Sequence, residues 1–138
     1  MLKITSAVID DLTVNFEHAI VACGCAYPSP IRPKISGMEE RHLEVAEWRK
    51  EIQNAKKIAI IGGGLVGVEL AGELVEAFPE KLVVLYTRGS ELLQTMPKLA
   101  RRAAQIWLEQ RGVQFFFGHS IENAKEFDMV FKCTGNES

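Results

Sequence analysis

From residue 57 onward the apolar positions follow two alternating rhythms. Short apolar runs at 58–61 (Ile-Ala-Ile-Ile), 82–86 (Leu-Val-Val-Leu-Tyr) and 113–117 (Val-Gln-Phe-Phe-Phe) have the length and the β-branched and aromatic content of buried strands. Between them, 65–77 and 98–111 space their apolar residues at helical intervals, giving the order βαβαβ, and Met129–Cys133 adds a last short strand. Such alternation predicts a parallel sheet with helices packed on it. The punctuation agrees: Phe78-Pro79 stops the first helix, Pro97 suits the opening of the second, and Arg111-Gly112 offers it a cationic end and a C-terminal cap.

The first third of the chain reads differently. Ala7–Val14 and Glu17–Cys23 are strand-like, with His18–Cys23 as a buried strand. Tyr27-Pro28-Ser29-Pro30 and Arg32-Pro33 forbid regular structure and predict a linker. After Gly37 a helix is expected to about Ala55, with Val45, Trp48 and Ile52 on one stripe.

The most specific signal lies where the 58–61 strand passes into the 65–77 helix, at Gly62-Gly63-Gly64-Leu65-Val66-Gly67. In this strand–turn–helix setting the pattern is a dinucleotide-binding fingerprint. Gly62 permits the tight turn, Gly64 lets the backbone approach a pyrophosphate, and Gly67 lets the helix pack closely on the strand. The amides of Gly64, Leu65 and Val66 are expected to hold the phosphates at the helix N-terminus. A purely structural glycine-rich turn is the plainer alternative.

Composition narrows the class. The 138 residues, 47% apolar and 25% charged, suit one globular domain with a real core. A formal net charge of −2 without a basic block argues against a nucleic-acid surface, and no apolar stretch approaches the ~20 residues needed to cross a bilayer. No secretory signal is visible at Met1–Thr5, so a soluble intracellular protein, cytoplasmic or mitochondrial, is expected. Cys23, Cys25 and Cys133 lack zinc-like or redox spacing and read as reduced thiols. His18, His42 and His119 are scattered, and no metal site is expected.

Taken with Ile20-Val21-Ala22-Cys23-Gly24, Pro28, Pro30 and the fingerprint, the chain resembles the FAD-dependent pyridine nucleotide-disulphide oxidoreductases. Gly67-Val68-Glu69-Leu70-Ala71-Gly72-Glu73 is similar to the branch that holds apoptosis-inducing-factor-like NAD(P)H:quinone oxidoreductases and type II NADH dehydrogenases. The resemblance spans roughly residues 16–136. It implies a Rossmann-type α/β domain, residues 35–138, that binds NAD(P)H. Residues 1–34 would be a linker and a fringe of the FAD-binding domain. The FAD fingerprint and the C-terminal Gly-Asp motif of the family are not within these residues, so an excised central piece is expected, with FAD bound by the rest of the intact protein. Between Gly118 and Asp128 the family runs a longer β-meander than the ten or so residues found here.

The resemblance also places the glutamate at Glu69 beside the nicotinamide and the flavin, as a contact and candidate catalytic group. Glu69, Glu73 and Glu76 otherwise read as a solvated helix face. Counting from Gly67, the acidic residue that would accept the 2′-hydroxyl of NAD falls on Tyr86. No carboxylate follows before Glu91, whereas Arg88 offers positive charge and Thr87 and Ser90 offer hydroxyls, a set that leans to NADP or to tolerance of both cofactors. Gly135, closing Cys133-Thr134-Gly135 as Gly24 closes Ala22-Cys23-Gly24, completes the expected cofactor-binding set of Gly62, Gly63, Gly64, Leu65, Val66, Gly67, Glu69, Tyr86, Thr87 and Arg88. Hydride transfer from NAD(P)H to FAD and on to a quinone or other acceptor is the implied activity; a non-catalytic dinucleotide-sensing or interaction domain is the alternative. A strand within residues 7–23 without its FAD domain would expose an edge, and either a homodimer through it or a fold of the segment back onto its own core is expected, the homodimer being favoured.

Overall fold

The computed structural model describes residues 5–9, 11–20, 37–119 and 124–135. Its centre is a four-stranded sheet in the order β5-β4-β3-β6, formed by β3 (Lys57–Ile61), β4 (Leu82–Thr87), β5 (Gln114–Phe117) and β6 (Met129–Lys132). Every pairing is parallel, with Ile60 opposite Leu85 and Phe131, and Leu85 opposite Phe115. The runs at 58–61 and 82–86 are apolar throughout because both faces of the central strands are covered: Ile58, Ala59, Ile60, Val83, Val84 and Leu85 are all buried.

Helices α2 (Leu65–Ala77) and α3 (Lys98–Glu109) occupy the two crossovers. Ala71, Leu74 and Val75 of α2 and Leu108 of α3 join Ile58, Ile60, Val83, Leu85 and Phe131 in one core. The stops behave as the sequence implies. Phe78 N–H bonds to Leu74 C=O at 2.9 Å just before Pro79. At the end of α3, Gly112 takes a positive φ of 84° while Val113 N–H returns to Leu108 C=O at 3.1 Å. Arg111 reaches back to Trp107 C=O at 3.3 Å, its guanidinium 3.6 Å from the Trp107 ring centroid.

α1 (Met38–Asn54) has the expected span, but only part of the expected stripe packs. Trp48 meets Phe131 at 6.3 Å between ring centroids and Ile52 is half-buried, while Val45 stays exposed. No basic residue lies in the last turn of this helix. Lys81, distant in sequence, supplies that charge, donating from Nζ to the carbonyls of Gln53 (2.9 Å) and Ala55 (2.7 Å).

The N-terminal segment corrects the strand expected at Ala7–Val14. It is a hairpin of β1 (Ser6–Ile9) and β2 (Leu12–Asn15), antiparallel, with Ala7 opposite Val14. Asp11 falls in the turn between the strands, and aspartate is a turn-forming residue whose signal the strand-like pattern around it hid. The hairpin shares no ladder with the main sheet. Residues 17–20 are not strand, and Ile20 is almost fully exposed. Residues 21–23 and the Pro-rich linker lie outside the described residues.

Asp128 ties the start of β6 to the start of β3. Its Oδ2 accepts the backbone N–H groups of Lys56 and Lys57, both at 2.8 Å, and these bonds hold the carboxyl below its ordinary pKa. A depressed carboxylate contributes stability above its unfolded-state value, and that contribution is lost as pH falls through the folded value. Asp128→Ala should therefore lower the urea midpoint at pH 7, and the gap to the parent should close as the pH is taken below about 4. A gap of equal size at pH 3 and pH 7 would show that the ionised carboxylate is not what matters.

Candidate functional site

The turn from β3 to α2 requires glycine at three positions for internal reasons. Gly62 sits at φ +123°, and a Cβ there would run into the carbonyl of Cys133, with its carbon at 2.7 Å and Thr134 N at 3.2 Å. A Cβ on Gly67 would strike the carbonyl oxygen of Gly62, so α2 could not lie this close to the strand. A Cβ on Gly63 would fall 3.0 Å from Cβ and Oγ1 of Thr87 and 3.1 Å from Leu92. Gly64 is different: a Cβ would meet nothing within 4 Å. Among the described residues no protein atom accounts for glycine at this position, and the space beside it is open.

The start of α2 has the matching polarity. Gly64 is its N-cap and gives no side-chain cap, and the first bond of the helix runs from Val68 N–H to Gly64 C=O at 3.1 Å. The first-turn amides of Leu65 and Val66 are therefore left for an external acceptor, at the positive end of the helix dipole. These donors fit a pyrophosphate.

Around the turn lies a cleft of about 600 Å³ at the carboxyl ends of the parallel strands. Its wall brings together Gly62, Gly63, Gly64, Leu65 and Val66 with Tyr86, Thr87, Arg88 and Gly135, most of the set expected from sequence. Gly67 is buried behind the turn. Glu69 is exposed on α2 with Glu73 and Glu76 and does not line the cleft, and Ser90 is exposed outside it. Gly89, Gln94, His119, Cys133 and Thr134 line it as well. His119 escapes spacing arguments because it arrives through the sheet: its N–H bonds to Thr87 C=O at 3.2 Å, and Gly118 N–H to Gly89 C=O at 3.1 Å. The signal that finds it is its place just past the end of β5.

Tyr86 and Thr87 divide their side chains between the two faces of β4. The Tyr86 ring stacks on Phe116 (4.9 Å between centroids) and meets Phe127 edge-on at 6.0 Å. Desolvation, followed by the charge of Glu126, raises its pKa, so the phenol stays protonated at neutral pH. Thr87 is the one turned to the glycine turn, and its Oγ1 accepts the N–H of Gly89 at 3.3 Å. Cys133 is a free, buried thiol whose pKa desolvation pushes up to about 11, so it too is neutral. Among the described lining residues there is no carboxylate, and Arg88 is the one permanent charge. No group of His, Cys, Asp and Glu suited to a metal occurs among the described residues, and no described helix is long and apolar enough to cross a membrane.

Known proteins give the same picture. The chain is 34% identical over 113 residues to ferroptosis suppressor protein 1 of Xenopus tropicalis, covering 80% of this chain and 30% of that protein. It is 33% identical over 112 residues to the demethylphylloquinone reductase NdbB of Synechocystis, covering 73% and 28%. It thus spans about a third or less of these relatives. The fold matches that of the water-forming NADH oxidase from Lactobacillus brevis bound to NADH, with a TM-score of 0.58 and 21% identity over 77% of this chain and 28% of that one. The description of pyridine nucleotide-disulphide oxidoreductases matches residues 2–137, and the chain, with its Rossmann-type parallel sheet, belongs to that family.

Proposed function

We propose that this chain is the NAD(P)H-binding unit of a flavoprotein oxidoreductase, with residues 35–138 as the dinucleotide domain and residues 1–34 as a fringe of the FAD domain. The observation that carries this reading is Gly64, a glycine with open space where its side chain would be, at the start of a helix that has no side-chain cap among the described residues. When bound, the nicotinamide supplies a hydride, to be passed through FAD to a quinone or other acceptor. The quinone is favoured by likeness to a protein described as a demethylphylloquinone reductase.

The residues of this chain bind and orient. Leu65 and Val66 amides hold the pyrophosphate, while Thr87 and Arg88 face the adenosine ribose at the end of β4. The uncharged remainder of the wall favours a ligand that brings its own negative charge. Arg88, with no opposing carboxylate among the described residues of the wall, favours the 2′-phosphate of NADPH. Glu69 is exposed on α2 and free to contact the nicotinamide ribose once the FAD domain packs on that face. The edges of the β1–β2 hairpin are where the fringe would pair, with the FAD domain or with a second copy.

Calorimetry on the purified chain should give one site for NADPH, and the protein should be colourless. Absence of any NADPH or NADH binding would remove the dinucleotide reading. Stoichiometric flavin colour would overturn the assignment of FAD to residues outside this chain. Dinucleotide binding by a full-length protein that holds no flavin would favour the sensing alternative.

A further inference from the structure

The loop between β4 and α3 carries one cation and one anion ahead of the helix, Arg88 and Glu91. Arg88 lines the cleft and has no hydrogen bond or ion pair among the described residues. Glu91 is not free. Its carboxylate accepts from Nη1 of Arg101, in the first turn of α3. The Arg101 side chain is 22% exposed, with its Nε buried and without a partner, so this guanidinium is held beneath the loop at some cost in desolvation.

The loop backbone leaves Glu91 little room to withdraw. Leu92 and Leu93 on its C-terminal side are buried, and Leu93 N–H bonds to Gly63 C=O at 2.8 Å. On the other side the Glu91 carbonyl lies 3.3 Å from where a Cβ of Gly89 would be, and Gly89 lines the cleft next to Arg88. Glu91 thus lies between the cleft-lining Gly89 and the anchored Leu93, and the direction of its side chain decides where its charge falls. Released, its carboxylate would repel a bound phosphate and compete with it for Arg88.

We propose that Arg101 is a positioning residue for cofactor choice: by holding the Glu91 carboxylate, it leaves Arg88 as the only charge among the described residues offered to the adenosine end and so sets a preference for the 2′-phosphorylated dinucleotide. This rests on the proposed role of Arg88. The same pair also joins loop to helix, as any ion pair would, and a structural role would affect NADH and NADPH alike. Selectivity separates the two.

Arg101→Met keeps the aliphatic packing and removes the charge. The dissociation constant for NADPH, measured by calorimetry, should rise about three- to tenfold while that for NADH changes little, as expected for one exposed, solvent-screened charge near the 2′-phosphate. Adding Glu91→Gln to that variant should restore NADPH binding. Glu91→Gln alone, which needs no repacking, should keep or slightly raise the NADPH preference. Equal weakening of both cofactors, failure of Glu91→Gln to rescue, or a fall in NADPH preference with Glu91→Gln alone would each overturn the proposal. Arg88→Ala tests the underlying reading separately: no selective loss there means that the 2′-phosphate is not at Arg88. A selective loss with Arg88→Ala but none with Arg101→Met removes only the role of Arg101.

Discussion

Gly64→Val is expected to give a folded protein that no longer binds the dinucleotide, and Gly67→Val a protein that is strongly destabilised. The substitutions lie three residues apart in one motif, and the space around each decides the outcome. At Gly64 no protein atom stands within 4 Å of a new Cβ, and φ is an ordinary −80°, so the fold should tolerate valine. The isopropyl group would instead fill the approach to the Leu65 and Val66 amides. At Gly67 the Cβ would overlap the Gly62 carbonyl oxygen, and relief requires lifting α2 off the sheet that Ala71, Leu74 and Val75 pack against. That displacement should cost about 3 kcal/mol or more, a large share of the 5–15 kcal/mol that holds a domain of this size together. Urea unfolding and calorimetry on both variants check the contrast. A folded Gly64→Val variant with unchanged NADPH affinity would move the ligand away from the turn.

Arg88→Ala should weaken NADPH by roughly 1–3 kcal/mol, about five- to 150-fold, and leave NADH nearly untouched, because the lost contact is a charge-assisted bond to a group that only NADPH carries. The reverse shift is expected from Thr87→Asp. That side chain lies against the glycine turn, and a carboxylate there accepts the Gly89 amide, offers an acceptor to a 2′-hydroxyl and repels a 2′-phosphate. Tyr86→Glu, one position earlier, is expected to act mainly on stability, since it sets a carboxylate between Phe116 and Phe127. Titrations with both cofactors against each variant check this. Equal losses for NADH and NADPH in Arg88→Ala would place that arginine outside the recognition of the 2′ position.

The legible parts of this molecule were those in which one residue type answers to one local demand. Ile58–Ile61 and Leu82–Leu85 are apolar without alternation because both faces are covered, and a run of that length can be read directly. The glycine turn was legible because its spacing matches a strand–turn–helix geometry. Asp10-Asp11 was harder: an acidic pair within a strand-like stretch marks a hairpin only once the pairing of Ala7 with Val14 is known. Counting along the chain brought the 2′-hydroxyl position to Tyr86. Which of Tyr86 and Thr87 turns to the cleft depends on the pleat of β4 and on the Phe116 beside it. His119 and Gln94 reach the cleft from β5 and from the β4–α3 loop, and no local pattern announces a meeting made by sheet order.

Leu93 gives the cleft a mechanical property. It holds a left-handed φ of 49°, unusual for a branched side chain, with that side chain buried in the core and its N–H on the Gly63 carbonyl. A single residue thereby fastens the segment carrying Arg88 to the turn carrying Gly64. Under the proposed reading that bond joins the pyrophosphate end of the cleft to its adenosine end, so a cofactor fragment seated on one end should meet the other already tied to it. Transplanting residues 88–97 from a relative would transfer its preference only if the residue at 93 keeps that bond.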